Sequence, residues 1–190
     1  MNILLIDTGS RSLEHLTDAL KEHVVTIMRL EEFDMSSTLP DRTELIVLSG
    51  SSQYTVINNE HRFSHIRDLI LTSPLPILGI CLGCELIAHT FGAPLTELES
   101  KSVGVRTLTI TDPDDPLFEN HPPLQVYESH HFAITSLPPT LRGIARSDSG
   151  FEIIRHASLP RLGFQFHPES TTHTSGGPTL LREALRTCTK

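Results

Sequence analysis

The sequence has 190 residues, which is long enough for one well-cored domain, residues 1–190, and too short to expect a second. Its net charge of −8 argues against a general nucleic-acid or membrane-surface binder, and no apolar run is long enough to cross a bilayer. Three cysteines, an odd number behind an N-terminus without a basic signal region, favour a reducing cytoplasm over a disulfide framework.

The first part of the chain alternates apolar runs with helical patterns. Runs at residues 1–7, 24–28 and 44–48 are predicted strands, and a helix over about Glu60–Thr72 leads into a fourth, Ile77–Ile80. Ser12 is the predicted cap of another helix, whose apolar positions are Leu13, Leu16 and Leu20. This alternation is typical of an α/β fold with a mainly parallel sheet flanked by helices, in which sites lie at the carboxyl ends of strands.

Cys81 lies where the fourth strand runs directly into a helix. Gly79 and Gly83 flank it two residues to either side, so the backbone can turn sharply and present the thiol, as in the nucleophile elbow of hydrolases. The positive end of a helix also favours a thiolate over a thiol. Cys81 is therefore the candidate nucleophile. Two alternatives are a buried packing cysteine and a redox pair with Cys84, because the two form a C-x-x-C motif.

The second part of the chain changes character. It predicts short strands separated by proline and polar turns, at residues 94–97, 103–111, 124–128, 141–146 and 151–156. These indicate an extension of the sheet and a small antiparallel layer without a new domain. After a polar stretch, residues 171–177, Pro178 opens a predicted final helix with Leu180, Leu181 and Leu185.

A predicted strand from residue 162 ends in His167, and Glu169 follows two residues later. Residues two apart in an extended chain point to the same side, so the imidazole and the carboxylate are expected to lie together. A cysteine nucleophile needs a base, and the base needs a group that fixes its orientation. Cys81, His167 and Glu169 supply these three roles.

Two segments now carry a resemblance: Pro-Ile-Leu-Gly-Ile-Cys-Leu-Gly, residues 76–83, and Gly-Phe-Gln-Phe-His-Pro-Glu-Ser, residues 163–170. They resemble the two signatures of the class I (triad) glutamine amidotransferases, and the likeness looks closest to the separate glutaminase subunits of GMP synthase. It covers essentially the whole chain and implies a flavodoxin-like fold. It also implies a glutaminase that needs no cofactor and that supplies ammonia from L-glutamine to a separate synthetase, such as a GMP synthase ATP-pyrophosphatase subunit. An anthranilate- or aminodeoxychorismate-synthase type of partner is the less favoured option.

The resemblance also assigns roles in the pocket. It places the oxyanion donors on the backbone N–H groups of Leu82, after the nucleophile, and Ser51, in the loop that begins at Gly50. Substrate contacts are expected at Gly50, at Glu85, and in a segment that resembles the family's Ser/Asn-His-x-Phe/Asp pattern, where they fall on Ser129, His131 and Phe132. His130 is expected to be structural.

The chain departs from the family pattern at two of these positions. Ser51 stands where a glycine is usual, so its backbone angle is in question. Cys84 and Glu85 stand where His-Gln is usual, and Glu85 adds negative charge beside the nucleophile. Two other functions therefore stay open: hydrolysis of another γ-glutamyl compound, and a catalytically weak regulatory or binding subunit. Among the eleven histidines, His61 and His65 are one helical turn apart but lack the Glu of an H-E-x-x-H motif, so we expect no metal site.

Overall fold

A computed structural model of the chain describes residues 1–33, 39–120, 122–170 and 176–188. The strands are β1 Asn2–Asp7, β2 Val24–Arg29, β3 Leu45–Leu48, β4 Ile77–Ile80, β5 Leu95–Thr107, β6 Thr109–Ile110, β7 Gln125–Ile134, β8 Leu141–Arg146, β9 Phe151–His156 and β10 Arg161–Phe164. The α-helices are α1 Leu13–Ala19, α2 Ser64–Thr72, α3 Leu82–Thr90 and α4 Gly176–Cys188. Short 3₁₀ helices lie at Leu30–Glu32, Glu60–Phe63 and Pro116–Phe118.

Eight strands form one mixed sheet in the order β2-β1-β3-β4-β10-β9-β8-β6. The first five are parallel to one another, and β9, β8 and β6 extend the sheet with antiparallel pairings. Strands β5 and β7 pair separately as an antiparallel ribbon. The fold predicted from the sequence, a mainly parallel sheet with a small antiparallel extension, is confirmed.

Helices cover both faces of the sheet because successive strand residues point to opposite sides. Leu5 and Val47 join the core that contains Leu16 of α1 and Leu180 of α4. The neighbouring strand residues, such as Leu4, join the other core, with residues of α2 and α3. No helix in the described part of the chain is both long and apolar enough to span a membrane.

Several predicted boundaries were wrong in the second part of the chain. The strands predicted at residues 94–97 and 103–111 form one long strand, β5, with an irregular register between Glu97 and Ser102, and a break at Leu108 separates it from β6. Leu108 is buried and donates its N–H to the Leu124 carbonyl, so the chain changes sheets there. Strand β7 continues to Ile134, well past the predicted end at residue 128.

Three predicted helix starts also differ in detail. The helix predicted from about Glu60 begins as the 3₁₀ helix Glu60–Phe63, and α2 starts only at Ser64. Ser12 is at the N-cap position of α1, but its side chain makes no capping hydrogen bond. Helix α4 begins at Gly176, two residues before Pro178. A Cβ on Gly176 would lie only 2.2 Å from the Gln125 carbonyl oxygen, so only glycine fits there. The predicted polar stretch at residues 171–177 lies mostly outside the described residues.

Arg161 links strand β10 to the end of α2 through side-chain hydrogen bonds. Its side chain is fully buried at the start of β10, and its guanidinium donates to the carbonyls of Ile70 at 2.8 Å, Leu75 at 2.9 Å and Ser73. Carbonyls at a helix end have no partner within the helix, so the guanidinium supplies donors that the backbone lacks. Burial lowers the pKa of Arg161.

Replacing Arg161 with methionine is expected to lower the free energy of unfolding by roughly 3 kcal/mol, because it leaves buried carbonyls without donors. Urea unfolding followed by circular dichroism measures the change. Arg67→Met, on the exposed face of α2, is the matched control. Equal stability of the two variants would contradict this role for Arg161.

Candidate active site

The backbone at Cys81 has the sharp turn that the sequence predicts. Cys81 has φ 50° and ψ −105°, a conformation that L-residues rarely adopt and that costs about 1–3 kcal/mol. Its N–H donates to the Phe164 carbonyl of β10 at 2.7 Å, which ties the turn to the neighbouring strand. The flanking glycines are required by space: a Cβ on Gly79 would lie 2.3 Å from the Gly83 oxygen, and one on Gly83 would lie 2.5 Å from the Leu48 oxygen.

His167 and Glu169 are paired, but not for the reason predicted. Strand β10 ends at Phe164, and a turn follows, in which the Ser170 N–H donates to the His167 carbonyl. The extended geometry expected at this position is therefore wrong. The turn nevertheless brings His167 Nδ1 to 2.8 Å from Glu169 Oε1, and the His167 N–H donates to the Tyr127 carbonyl of β7. Glu169 thus orients the imidazole, and the ribbon holds the backbone of His167.

Cys81 and His167 converge on Gly50. A Cβ built on Gly50 would lie 3.3 Å from both Cys81 Cβ and His167 Cε1. Since Nδ1 of His167 is engaged by Glu169, its Nε2 is the nitrogen left for the thiol. Gly50 itself is buried behind this pair and does not line the pocket, so its contact is with the two side chains and not with the pocket space.

Opposing effects act on His167. Burial lowers its pKa, but the Cys81 thiolate and the Glu169 carboxylate outweigh burial, and the pKa of His167 is raised well above its ordinary value. The raised pKa favours a protonated imidazole, and such a ring can deliver a proton to a leaving group.

The two predicted oxyanion residues border the same pocket as Cys81. Leu82 is the first residue of α3, so its N–H is among the free donors of the helix start. Ser51 has no positive φ, so serine is accommodated there without left-handed strain. Its hydroxyl accepts hydrogen bonds from the N–H groups of Gln53 and Tyr54 and so orders the loop. Thr8 holds the loop from behind by donating to the Gly50 carbonyl at 3.0 Å.

A pocket of about 560 Å³ opens in front of Cys81. Its walls include all the predicted site residues other than Gly50, namely Cys81, Leu82, Ser51, Glu85, Ser129, His131, Phe132, His167 and Glu169. The walls also include Arg11, Lys101 and Tyr127, which the sequence alone did not identify. Lys101 lies on β5 and reaches the pocket because β5 pairs with β7. No local sequence motif predicts this pairing.

Glu85 is buried one helical turn after Cys81, and its Oε1 accepts a hydrogen bond from Gln165 Nε2 at 3.1 Å. Burial raises its pKa to about 7, although Gln165, His130 and His167 act in the opposite direction. Gln165 Oε1 is buried without a hydrogen-bond partner. Near neutral pH, therefore, Glu85 is present partly as a neutral acid, which is much closer to the family's glutamine than a carboxylate is.

The raised pKa of Glu85 predicts a pH-dependent stability. Unfolded Glu85 loses its proton near pH 4.5, whereas the folded residue keeps it until about pH 7, so rising pH destabilises the fold across this interval. Glu85→Gln removes the cost of ionisation, and the variant should gain up to roughly 3 kcal/mol over the wild type between pH 5 and pH 8. Urea unfolding of both proteins at the two pH values checks this. A constant difference between them would contradict a buried ionisation at Glu85.

Cys84 fits the packing alternative better than a redox role. It is completely buried, and its Sγ lies against Gly163, where a Cβ would come within 2.6 Å. Burial, followed by the charges of Glu85 and Glu152, raises its pKa well above the ordinary value. All three cysteines are free. His61 and His65, the histidine pair noted in the sequence, are exposed.

Comparison with known proteins gives a consistent result. Residues 4–188 match the family described as "Glutamine amidotransferase class-I". The glutamine-hydrolyzing GMP synthase from Yarrowia lipolytica is 34% identical over 181 residues, which are 95% of this chain and 34% of that protein. A subunit of the glutamine-hydrolyzing GMP synthase from Pyrococcus furiosus is 40% identical over 146 residues, which are 76% of this chain and 74% of that subunit.

Solved structures agree with the sequence comparisons. A candidate GMP synthase subunit from Thermoplasma acidophilum superposes with a TM-score of 0.85 at 26% identity, covering 99% of this chain and 94% of that one. A glutamine amidotransferase from Thermotoga maritima shares the fold, with a TM-score of 0.78 at 18% identity over 99% and 98% of the two chains. This chain spans about a third of the length of the first fungal relatives that it matches. It belongs to the class I glutamine amidotransferase family.

Proposed function

We propose that the chain hydrolyses the side-chain amide of L-glutamine and supplies the ammonia to a separate synthetase of the GMP synthase type. The observation that carries this proposal is that a strained elbow cysteine and a His–Glu pair meet over the buried Gly50 and together border one pocket. Family membership supports glutamine as the substrate. The match to a single subunit of the GMP synthase in Pyrococcus furiosus supports a separate partner.

The reaction begins when the Cys81 thiolate attacks the amide carbon of glutamine. The carbonyl oxygen becomes an oxyanion, which the N–H groups of Leu82 and Ser51 stabilise. As the tetrahedral intermediate collapses, the C–N bond breaks, and the proton on His167 goes to the leaving nitrogen, which departs as ammonia. The product on the enzyme is a glutamyl thioester at Cys81.

Water completes the cycle. Neutral His167 now accepts a proton from water, the hydroxide adds to the thioester carbon, and the C–S bond breaks to release glutamate and restore the thiolate. Glu169 keeps the imidazole oriented in both halves of the reaction and stabilises its charged form. All groups in this cycle come from the chain, the substrate and water, so the half-reaction needs no cofactor.

The substrate is expected to lie between the elbow and the ribbon. Ser129, His131 and Phe132 border the pocket on β7, where they are placed to contact the amino-acid end of glutamine. Lys101 and Arg11 add positive charge to the wall and suit the α-carboxylate. Glu85 borders the same space, so a substrate other than glutamine, such as a γ-glutamyl peptide, is the second candidate.

The experiment compares glutamate release from L-glutamine and from γ-glutamyl peptides by the purified chain. Each substrate is tested without a partner and then with the ATP-pyrophosphatase component of a GMP synthase, ATP and xanthosine monophosphate. Release from glutamine that rises with the partner supports the proposal. Release from peptides alone supports the second candidate, and binding without turnover of either supports a regulatory subunit.

Gly50→Ala should lower kcat for glutamine hydrolysis by roughly tenfold or more, because the new methyl group displaces Cys81 and His167 by a few tenths of an ångström. Stability should change little, since φ at Gly50 is not left-handed. Gly92→Ala is the matched control: it meets no atom within 4 Å but has φ +92°, so it costs stability without disturbing the site. Unchanged kcat in Gly50→Ala would show that this contact does not set the geometry.

A further inference from the structure

Beside the pocket, three buried side chains point toward one another, and one of them, His130, also borders the pocket. Glu128 and His130 lie on β7, and Glu152 lies on β9 of the main sheet. All three are at most 3% exposed, and one ligand atom of each lies within 4.8 Å of the other two. This cluster lies outside the proposed triad and is the one metal-type grouping found among the described residues.

The inward-pointing atoms have no hydrogen-bond partner. Glu128 Oε2, His130 Nε2 and Glu152 Oε2 are buried and unsatisfied, although Glu128 Oε2 and His130 Nε2 are only 3.3 Å apart. An unpaired buried acceptor is costly, and two carboxylates that face each other add repulsion. Three such atoms around one point indicate that a positive species belongs between them.

The outward-pointing atoms are all held by the protein. Glu128 Oε1 accepts from Arg106 Nε at 3.0 Å and from the Ser102 and Ser149 hydroxyls. Glu152 Oε1 accepts from the Ser147 hydroxyl at 2.8 Å. Each carboxylate therefore has one oxygen held by outside donors and one oxygen that faces the cluster, which is how ligating carboxylates are supported in metal sites.

His130 has the orientation of a metal ligand. Its Nδ1 lies 2.7 Å from the Phe132 carbonyl oxygen, which can only accept, so Nδ1 carries the hydrogen. Nε2 is then the ring nitrogen that faces the cluster, 3.3 Å from Glu128 Oε2. A histidine ligand characteristically donates its other N–H to a carbonyl in this way.

We propose that Glu128, His130 and Glu152 bind one divalent transition-metal ion of the zinc class. Imidazole with two carboxylates suits such an ion, and two atoms each about 2.0–2.1 Å from a tetrahedral centre lie about 3.3–3.4 Å apart, as Glu128 Oε2 and His130 Nε2 do. The ion clamps the ribbon to the main sheet directly behind Ser129, His131 and Phe132. It thereby fixes the pocket wall without taking part in the reaction.

This inference differs from the sequence expectation of no metal site, because the ligands come from two strands that no spacing motif connects. The competing occupant is a proton shared between Glu128 and Glu152. His130 Nε2 lies 3.3 Å from Glu128 Oε2, so a proton on that nitrogen is a second competing occupant. A proton and a metal ion give different spectroscopic results.

The test is a titration of the chelator-treated, tag-free protein with Co²⁺, followed by visible and near-ultraviolet absorption. We expect one Co²⁺ per chain with weak visible bands, without the intense near-ultraviolet band of a thiolate ligand, and displacement by Zn²⁺. Glu152→Gln should weaken binding at least about 100-fold. Ser147→Ala keeps all three ligands but frees Glu152 Oε1, and should weaken binding about 10-fold.

His61→Ala, at an exposed position, is the control and should bind Co²⁺ as the wild type does. The absence of a one-to-one complex in the wild type would overturn the proposal in favour of a shared proton. A thiolate band would also overturn it, because the ion would then lie at a cysteine. Equal affinity in the wild type, Glu152→Gln and Ser147→Ala would place the ion elsewhere and have the same consequence.

Discussion

Replacing Cys81 with alanine is expected to lower kcat for glutamine hydrolysis by on the order of 10⁶-fold, because it removes the atom that forms the thioester. Glutamine binding should survive, since the pocket walls on α3 and β7 are untouched. The backbone strain at Cys81 does not depend on sulfur, so the fold should persist as well. Glutamate release measured with a coupled dehydrogenase assay, and glutamine binding measured by calorimetry, separate these effects.

The matched controls are the other two cysteines. Cys84→Ala removes a buried sulfur that packs against Gly163, and Cys188→Ala changes a residue on α4 that does not border the pocket. Both variants should therefore keep kcat within a few-fold of the wild type. A redox pair would instead require Cys84 as much as Cys81. Equal losses in Cys81→Ala and Cys84→Ala would therefore contradict the single-nucleophile mechanism.

Replacing Glu169 with glutamine is expected to lower kcat by roughly 10³–10⁴-fold with little change in KM. The carboxylate accepts the His167 Nδ1 hydrogen at 2.8 Å and stabilises the charged ring, whereas an amide supplies no charge and can present a donor instead. Glu169 acts through His167, so it is a positioning residue with its own signature. Stopped-flow and steady-state rates over a pH series provide the measurement.

That signature is the pKa of His167. Glu169 contributes to raising this pKa, so in Glu169→Gln the pKa should fall, and the imidazole should lose its proton at a lower pH than in the wild type. Nuclear magnetic resonance of the imidazole, or the pH dependence of Cys81 alkylation, reports the shift. A reduced kcat with an unchanged His167 titration would contradict the electrostatic role of Glu169 and leave only a packing role.

The sequence predicted the parts of the fold that depend on local patterns. Apolar runs long enough for one buried strand each, such as Ile77–Ile80, appear as strands in the expected order. Gly79 and Gly83 predicted the elbow because only glycine permits its close backbone contacts, and the structure contains those contacts. Each of these features depends on only a few neighbouring residues, so it can be predicted without knowing how the rest of the chain folds.

Features that depend on tertiary context were not predictable. The pairing of His167 with Glu169 was expected from an extended chain, but a turn produces it, because β10 ends earlier than its apolar run suggests. Lys101 reaches the pocket only through the return of β5 along β7. No local pattern in the sequence marks Arg161 for burial, yet it is buried because the end of α2 offers it carbonyl acceptors.

The departures from the family pattern are explained in part by burial and backbone geometry. The loop accommodates serine at position 51 because the backbone φ there is not left-handed, and the sequence alone could not establish this angle. Glu85 is less disruptive than a surface carboxylate would be, because burial raises its pKa to about 7 and Gln165 donates to it. Its effect on the choice of substrate follows from comparing glutamine with γ-glutamyl peptides near neutral pH.

The most direct test of the central claim is to trap the covalent intermediate. The chain is mixed with L-glutamine, with and without the ATP-pyrophosphatase component, quenched in acid within milliseconds to seconds, and analysed by intact-protein and peptide mass spectrometry. A glutamine-like alkylating analogue serves as a stable surrogate. We predict one glutamyl group or one analogue per chain, located on Cys81, prevented by excess glutamine in the case of the analogue and absent from Cys81→Ala. Turnover without any adduct on Cys81, or an adduct on another residue, would contradict the mechanism.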